Sequence, residues 1–158
     1  MTTKVTIGID PGANGGIAVL TDMGEVVFLI KMPPTPADLH AFLSEVCSLC
    51  RRDDVSLTAY MEDVGHGMPG QSSSATAKFA RHCGHLEMAL LALGIRTVTV
   101  TPAKWMKCFQ IGKSSGSKTE WKNKLKAKAQ QLFPVWSKRI TLATADALLI
   151  AEYGRENG

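Results

Sequence analysis

Three carboxylates, Asp10, Glu62 and Asp146, stand where acids are expensive to keep. Asp10 closes a run in which Val5, Ile7 and Ile9 alternate, and it precedes a turn holding Gly12, Gly15 and Gly16. Glu62 closes a second apolar run that starts at Leu57, and Asp146 sits among Ala143, Ala145, Ala147 and Leu149. Burying such a group costs free energy unless a partner compensates, and a bound cation is a common compensation. Plainer roles compete: an Asp at a strand end is often a turn residue, and Glu62 is equally placed to be solvated. Asp146 resists the plainer role, because Leu149 and Ile150 at i+3 and i+4 point toward a core. An unpaired acid there carries a penalty on the order of several kcal/mol.

An all-oxygen site with few ligands selects Mg2+ or Mn2+, and two such ions about 4 Å apart can clamp the attacking and leaving oxygens of a phosphodiester. The glycine turn after Asp10 leaves a second chemistry open, since its backbone amides can cradle a phosphate. Charge favours a polyanionic substrate. Between Lys104 and Arg139 lie ten of the eighteen Lys and Arg residues against one acid, Glu120. A segment so one-sided attracts nucleic acid, and Lys113, Lys118 and Lys122 are its candidate phosphate contacts. The bland alternative is a solvated helix face. Acids that hold cations beside a basic surface point to a nuclease.

The elements that must position these residues are readable from periodicity. Residues 4–10, 15–21 and 26–30 read as strands joined by short Gly-containing turns, hence an antiparallel meander. After Met32-Pro33-Pro34, residues 36–50 resume at helical spacing through Leu39, Phe42, Leu43, Val46 and Leu49. Residues 57–62 form a fourth strand and 65–74 a Gly/Ser/Pro loop, with Ser72 to Ser74 available to cap a long helix that Gly94 ends. On that helix Phe79, Cys83, Leu86, Leu90 and Leu93 share a stripe, so Phe79 is expected in the core. Residues 95–100 give a fifth strand, 102–108 a short helix and 112–117 a basic loop. Two helices close the chain: one with Trp121, Leu125, Ala129 and Leu132 on a common face, and one over about 141–153 carrying Leu142, Leu149, Ile150 and Tyr153 inward. The order is βββαβαβ followed by helices, an α/β layer structure with a mixed five-stranded sheet in a single domain over 1–158.

Composition agrees. At 158 residues, with 45% hydrophobic and 20% charged residues, the chain suits one soluble domain with its own core. No run reaches the roughly 18 apolar residues a membrane span needs, and no signal-peptide pattern opens the chain, so a cytoplasmic protein without membrane partners is expected. Cys47, Cys50, Cys83 and Cys108 fall mostly at apolar helical positions and read as reduced. Cys47-x-x-Cys50 with His82-x-x-His85 suggests zinc only weakly, because the pairs belong to separate helices. Trp105 and Trp121 read as packing residues.

The stretch "IGIDPGANGGIAVL" resembles the first two strands of RuvC-type Holliday junction resolvases, members of the RNase H-like superfamily. "YMEDVGHGMPGQSSSATAKFARHCGHLEMALLALGI", then "TPAKWMKCFQIG" and "ADALLIAEYG", are similar to the bacterial and phage branch that includes plant organellar resolvases. The resemblance implies an RNase H-like sheet flanked by helices, and a homodimeric, Mg2+-dependent endonuclease that makes paired nicks at four-way or branched DNA in a bacterial or phage-infected cell. It implies catalytic and metal-binding roles for Asp10, Glu62 and Asp146, with two ions per site. It lays the loop with His66, Gln71, Ser72 and Ser73 along the DNA, and puts the helix from Ser72 to Leu93 at the dimer contact; Gly84 on that helix would allow another helix to approach closely, and a plain packing role for it is equally open. One departure stands out. Such resolvases carry a further His or Asp shortly before the last acid, commonly three residues upstream, where this chain has Ala143. Thr141 or Thr144 holding a water, Asp63 moving in, an inactivating change, or a protein that binds junctions without cutting them well are the accounts open. Asp63 is the weakest of them, since neighbouring strand residues face opposite sides. Competing functions are an RNase H-like nuclease for other branched or hybrid nucleic acids and, less well matched in length, a sugar-kinase-like or actin-like ATPase.

Overall fold

The computed structural model describes residues 2–65, 70–112 and 116–158. Five strands form one mixed sheet: β1 (Thr3–Asp10), β2 (Gly16–Thr21), β3 (Val26–Lys31), β4 (Val55–Glu62) and β5 (Arg96–Val100), in the order β3-β2-β1-β4-β5. The first three pair antiparallel as the expected meander, whereas β4 and β5 add on the other side of β1 as parallel neighbours. Parallel pairing needs crossovers, and two helices supply them: α1 (Pro36–Leu49) between β3 and β4, and α2 (Ser73–Ala92) between β4 and β5. Three more helices follow, α3 (Pro102–Cys108), α4 (Lys118–Leu132) and α5 (Leu142–Asn157), with a 3-10 turn at Pro134–Trp136 before the last.

The alternation of β1 divides the interior. Val5, Ile7 and Ile9 face a core completed by Leu39, Leu43 and Val46 of α1 and Leu86 and Leu90 of α2. The opposite face packs against Trp105 of α3, Leu125 and Ala129 of α4, and Ala147, Leu148 and Ala151 of α5. Helix α5 lies directly on β1 and β2, and the close approach depends on Gly8: a Cβ there would run into the Ala147 carbonyl and the Ala151 nitrogen.

Local signals fix the ends. Thr35 caps α1 by accepting from the Asp38 amide at 3.1 Å, and Ser72 caps α2 by accepting from Ala75 at 3.1 Å. Ser117 and Glu120 form a reciprocal capping box at the start of α4. Two expected core residues lie elsewhere. Leu142 is 39% exposed, because it is the first residue of α5, before the helix descends onto the sheet. Phe79 is half-buried and belongs to neither core; it lines a groove between α2 and the end of β4 and lies against the glycine turn at Gly12. Among the described residues, no helix is long and apolar enough to cross a membrane. The four cysteines are free thiols.

Candidate active site

Strand parity brings the acids together. Side chains alternate along a strand, so Asp10, next after Ile9, turns to the opposite face, under α5, and Glu62, next after Met61, turns to that same face from β4. Ile9 and Met61 are register partners, which puts the two acids side by side at the C-terminal ends of adjacent parallel strands. Those ends are where open α/β sheets collect ligands. Asp146 descends from the second turn of α5, just ahead of Ala147, whose backbone lies over Gly8.

The turn after Asp10 serves this placement. Gly12 has φ +117, a conformation L side chains rarely adopt, and Gly15 donates its amide to the Gly12 carbonyl at 3.0 Å. A Cβ on Gly15 would collide with the Asp10 carbonyl. The glycines thus reverse the chain tightly enough for Gly16 to pair with Asp10.

Electrostatics tie the three acids to one another and to Lys122 of α4. Burial, then Asp146 and Glu62, push the Asp10 carboxyl up to about 8, with Lys122 pulling the other way. Burial lifts Glu62 to about 7; a hydrogen bond from Trp105 opposes it, Asp146 adds to it, and Lys122 opposes it again. Burial raises Asp146 to about 6, and Lys122 again favours the charged form. Among the described residues, the hydrogen bond that reaches any of these acids is the one from the Trp105 indole Nε1, which donates to Glu62 Oε2 at 2.6 Å. Trp105 is therefore both a packing residue, as expected, and a partner of the site, which was not.

The acids share one electrostatic neighbourhood without closing into a set of ligands. No three His, Cys, Asp or Glu side chains among the described residues are grouped so as to hold a metal ion. This geometry does not show the expected two-ion site on Asp10, Glu62 and Asp146, and mutual repulsion of the carboxylates opposes their closer approach. The donor chemistry still fits a hard divalent cation: oxygen atoms alone, on acids whose burial and mutual repulsion a bound cation would offset. Cys47, Cys50, His82 and His85 likewise make no metal-holding group.

The departure at Ala143 has a structural context. Thr144 is buried, and its Oγ1 accepts from the Thr141 amide at 3.0 Å and lies 3.2 Å from the Thr141 hydroxyl. The two threonines serve the start of α5. Asp63 is exposed just past the end of β4, and its Oδ1 accepts from the Gly65 amide at 3.0 Å.

Of the expected DNA contacts, His66 and Lys113 lie outside the described residues. Gln71, Ser72 and Ser73 are exposed at the start of α2, where Thr76 donates to Gln71 Oε1 at 3.5 Å. Lys118 is exposed at the first position of α4, and Lys122 is half-buried one turn later, turned toward the acids. A cavity of about 590 Å3 lies apart from this site, toward the N-terminal ends of the parallel strands, with Lys4, Ser56 and Arg96 in its wall.

Two solved structures with a similar fold match nearly the whole chain. Thermus thermophilus RuvC in complex with Holliday junction substrate matches with a TM-score of 0.60 at 18% identity, covering 94% of this chain and 91% of that one. The fold is that of RuvC. A second Thermus thermophilus RuvC structure gives a TM-score of 0.57 at 18% identity, over 94% of this chain and 92% of the other. No protein-family model matches, and no curated sequence does either. The RuvC fold is a mixed five-stranded sheet with helices on both faces, as the periodicity predicted.

Proposed function

We propose that this chain is a divalent-metal-dependent endonuclease that resolves four-way DNA junctions as a homodimer. The observation that carries the reading is the meeting of Asp10, Glu62 and Asp146 at the C-terminal edge of a RuvC-like sheet, with Lys122 facing all three. That one RuvC neighbour was solved with a Holliday junction substrate supports the substrate class.

In this reading Asp10, whose charge couples to both other acids, would share two Mg2+ or Mn2+ ions with Glu62 and Asp146. The ions, when bound, supply an activated water and neutralise the departing 3′ oxygen. The chain's own part is to keep three acids close in a partly dry cleft, so that a cation is strongly favoured over their mutual repulsion. Lys118 and Lys122 then bind backbone phosphates beside the cleft, with His66, Lys113, Gln71, Ser72 and Ser73 extending the contact. A two-fold assembly suits a substrate with near two-fold symmetry. Helix α2 offers the contact: Met88 and Leu91 are exposed at 61% and 73%, and Gly84 one turn before has open space around it.

A second reading, a junction-binding protein with impaired cleavage, is favoured by Ala143 and by the engagement of Thr141 with Thr144. Cleavage of a labelled four-way junction with Mg2+, Mn2+ or EDTA, alongside binding in Ca2+, separates the two. Paired metal-dependent nicks support the resolvase; tight binding without nicks supports the binder. Competition with flap and DNA/RNA hybrid duplexes tests the substrate, and preference for either over the four-way junction would overturn it.

A further inference from the structure

Trp105 is completely buried in the core beneath α4 and α5, yet its one polar atom is spent on Glu62. The bond spans 43 residues of sequence and, at 2.6 Å, has the length of a charge-assisted contact. Chain geometry makes it nearly unavoidable. Glu62 pairs with Val100 on β5, Thr101 opens α3, and the first turn of that helix returns the residue at 105 to the end of β4. A buried indole N–H left without a partner costs about 1–3 kcal/mol, so the core itself favours the bond.

We propose that Trp105 is a positioning residue for the metal reading given above, on which this inference rests. The indole holds Oε2 of Glu62 and leaves Oε1, which has no hydrogen bond to any described residue, for the site shared with Asp10 and Asp146. A glutamate otherwise has three side-chain torsions to settle before its carboxylate can face a cation. Trp105 is large, rigid and packed on all sides, so its donor cannot follow the carboxylate if that turns away. Outer partners of this kind orient the ligands they touch. The competing account is that Glu62 merely satisfies the tryptophan.

The test is Mn2+ affinity of the DNA-free protein, measured by titration calorimetry, together with metal-free melting temperature. Trp105→Phe removes the donor, and replacement of Trp105 by the isosteric benzothienylalanine removes it while keeping the shape. Both are expected to weaken Mn2+ binding about 10–100-fold. In a Glu62→Gln background neither should weaken it further, because the carboxylate they act through is gone. A lower melting temperature with unchanged Mn2+ affinity in the isostere would overturn the positioning role and leave the nuclease reading intact. Failure of the wild-type protein to bind Mn2+ would overturn the metal reading and this inference with it.

Discussion

Asp10 and Glu62 stand side by side at the C-terminal ends of β1 and β4, one step beyond the paired residues Ile9 and Met61, and both face α5. Neither has a described cationic partner within ion-pairing distance, and each is raised by burial and by a neighbouring acid. This arrangement costs the folded protein stability, and a site for cations recovers it.

Replacing Asp10 by Asn should reduce cleavage of a four-way junction by at least about a hundredfold while leaving junction binding in Ca2+ within a few-fold. The same change should raise the metal-free melting temperature at pH 8.5, because it removes a charge that folding disfavours. A variant that cuts normally in Mg2+ would remove Asp10 from the mechanism.

The metal-free protein should lose stability as pH rises. Asp10 moves from an ordinary value of 3.8 to about 8 on folding, so between those values the folded state binds more protons than the unfolded one. Its contribution is complete below about pH 4 and is lost as pH climbs through about 8; Glu62, raised to about 7, and Asp146, raised to about 6, act in the same direction over narrower ranges. Melting curves from pH 5 to 9 should fall in EDTA and flatten in millimolar Mg2+, with the flattening absent in the Asp10→Asn variant. A melting temperature that rises with pH in EDTA would contradict this electrostatic picture.

Lys118 and Lys122 are separable. Each, changed to Ala, should lower the salt slope of junction binding by about one, as expected for a lost phosphate contact. Lys122 also favours the charged forms of all three acids, so its loss should move the pH dependence of cleavage upward, whereas loss of the exposed Lys118 should not. Binding isotherms at several salt concentrations and cleavage rates from pH 6 to 9 distinguish the two roles.

Much of this site is legible in the chain because strand periodicity is local. The alternation of Val5, Ile7 and Ile9 assigns Asp10 to the other face, and the run ending at Met61 does the same for Glu62. What periodicity cannot supply is which residues meet across the fold. The indole of Trp105 reaching Glu62 depends on the pairing of β4 with β5 and on the short first turn of α3, neither of which leaves a mark at positions 62 or 105. Phe79 misleads for a related reason: it keeps helical spacing with Leu86 and Leu90, but at the N-terminal end of α2 there is a groove under it instead of core.

Gly8 is the position where a single methyl should do most harm. Any Cβ there meets the α5 backbone at Ala147 and Ala151, which cannot swing aside as a side chain can. Gly8→Ala should therefore destabilise the protein by at least about 1–3 kcal/mol, and, by lifting α5, draw Asp146 away from Asp10. A melting temperature within a degree of wild type would mean that α5 does not sit this close to β1.

Restoring an acid at Ala143 tests what the chain lacks. Residue 143 lies three positions before Asp146 on α5, so the two side chains project from the same side of the helix toward the strand ends. An aspartate there sits in the first turn, where the helix dipole favours negative charge, but it also adds a fourth carboxylate to a neighbourhood that already resists ionisation. Ala143→Asp should therefore lower metal-free stability at pH 8 and tighten Mn2+ binding at the same time. If the missing ligand limits catalysis, junction cleavage should rise by about tenfold or more, on the scale of one well-placed metal contact. Equal cleavage by the two proteins, with tighter metal binding in the variant, would mean that Asp10, Glu62 and Asp146 suffice.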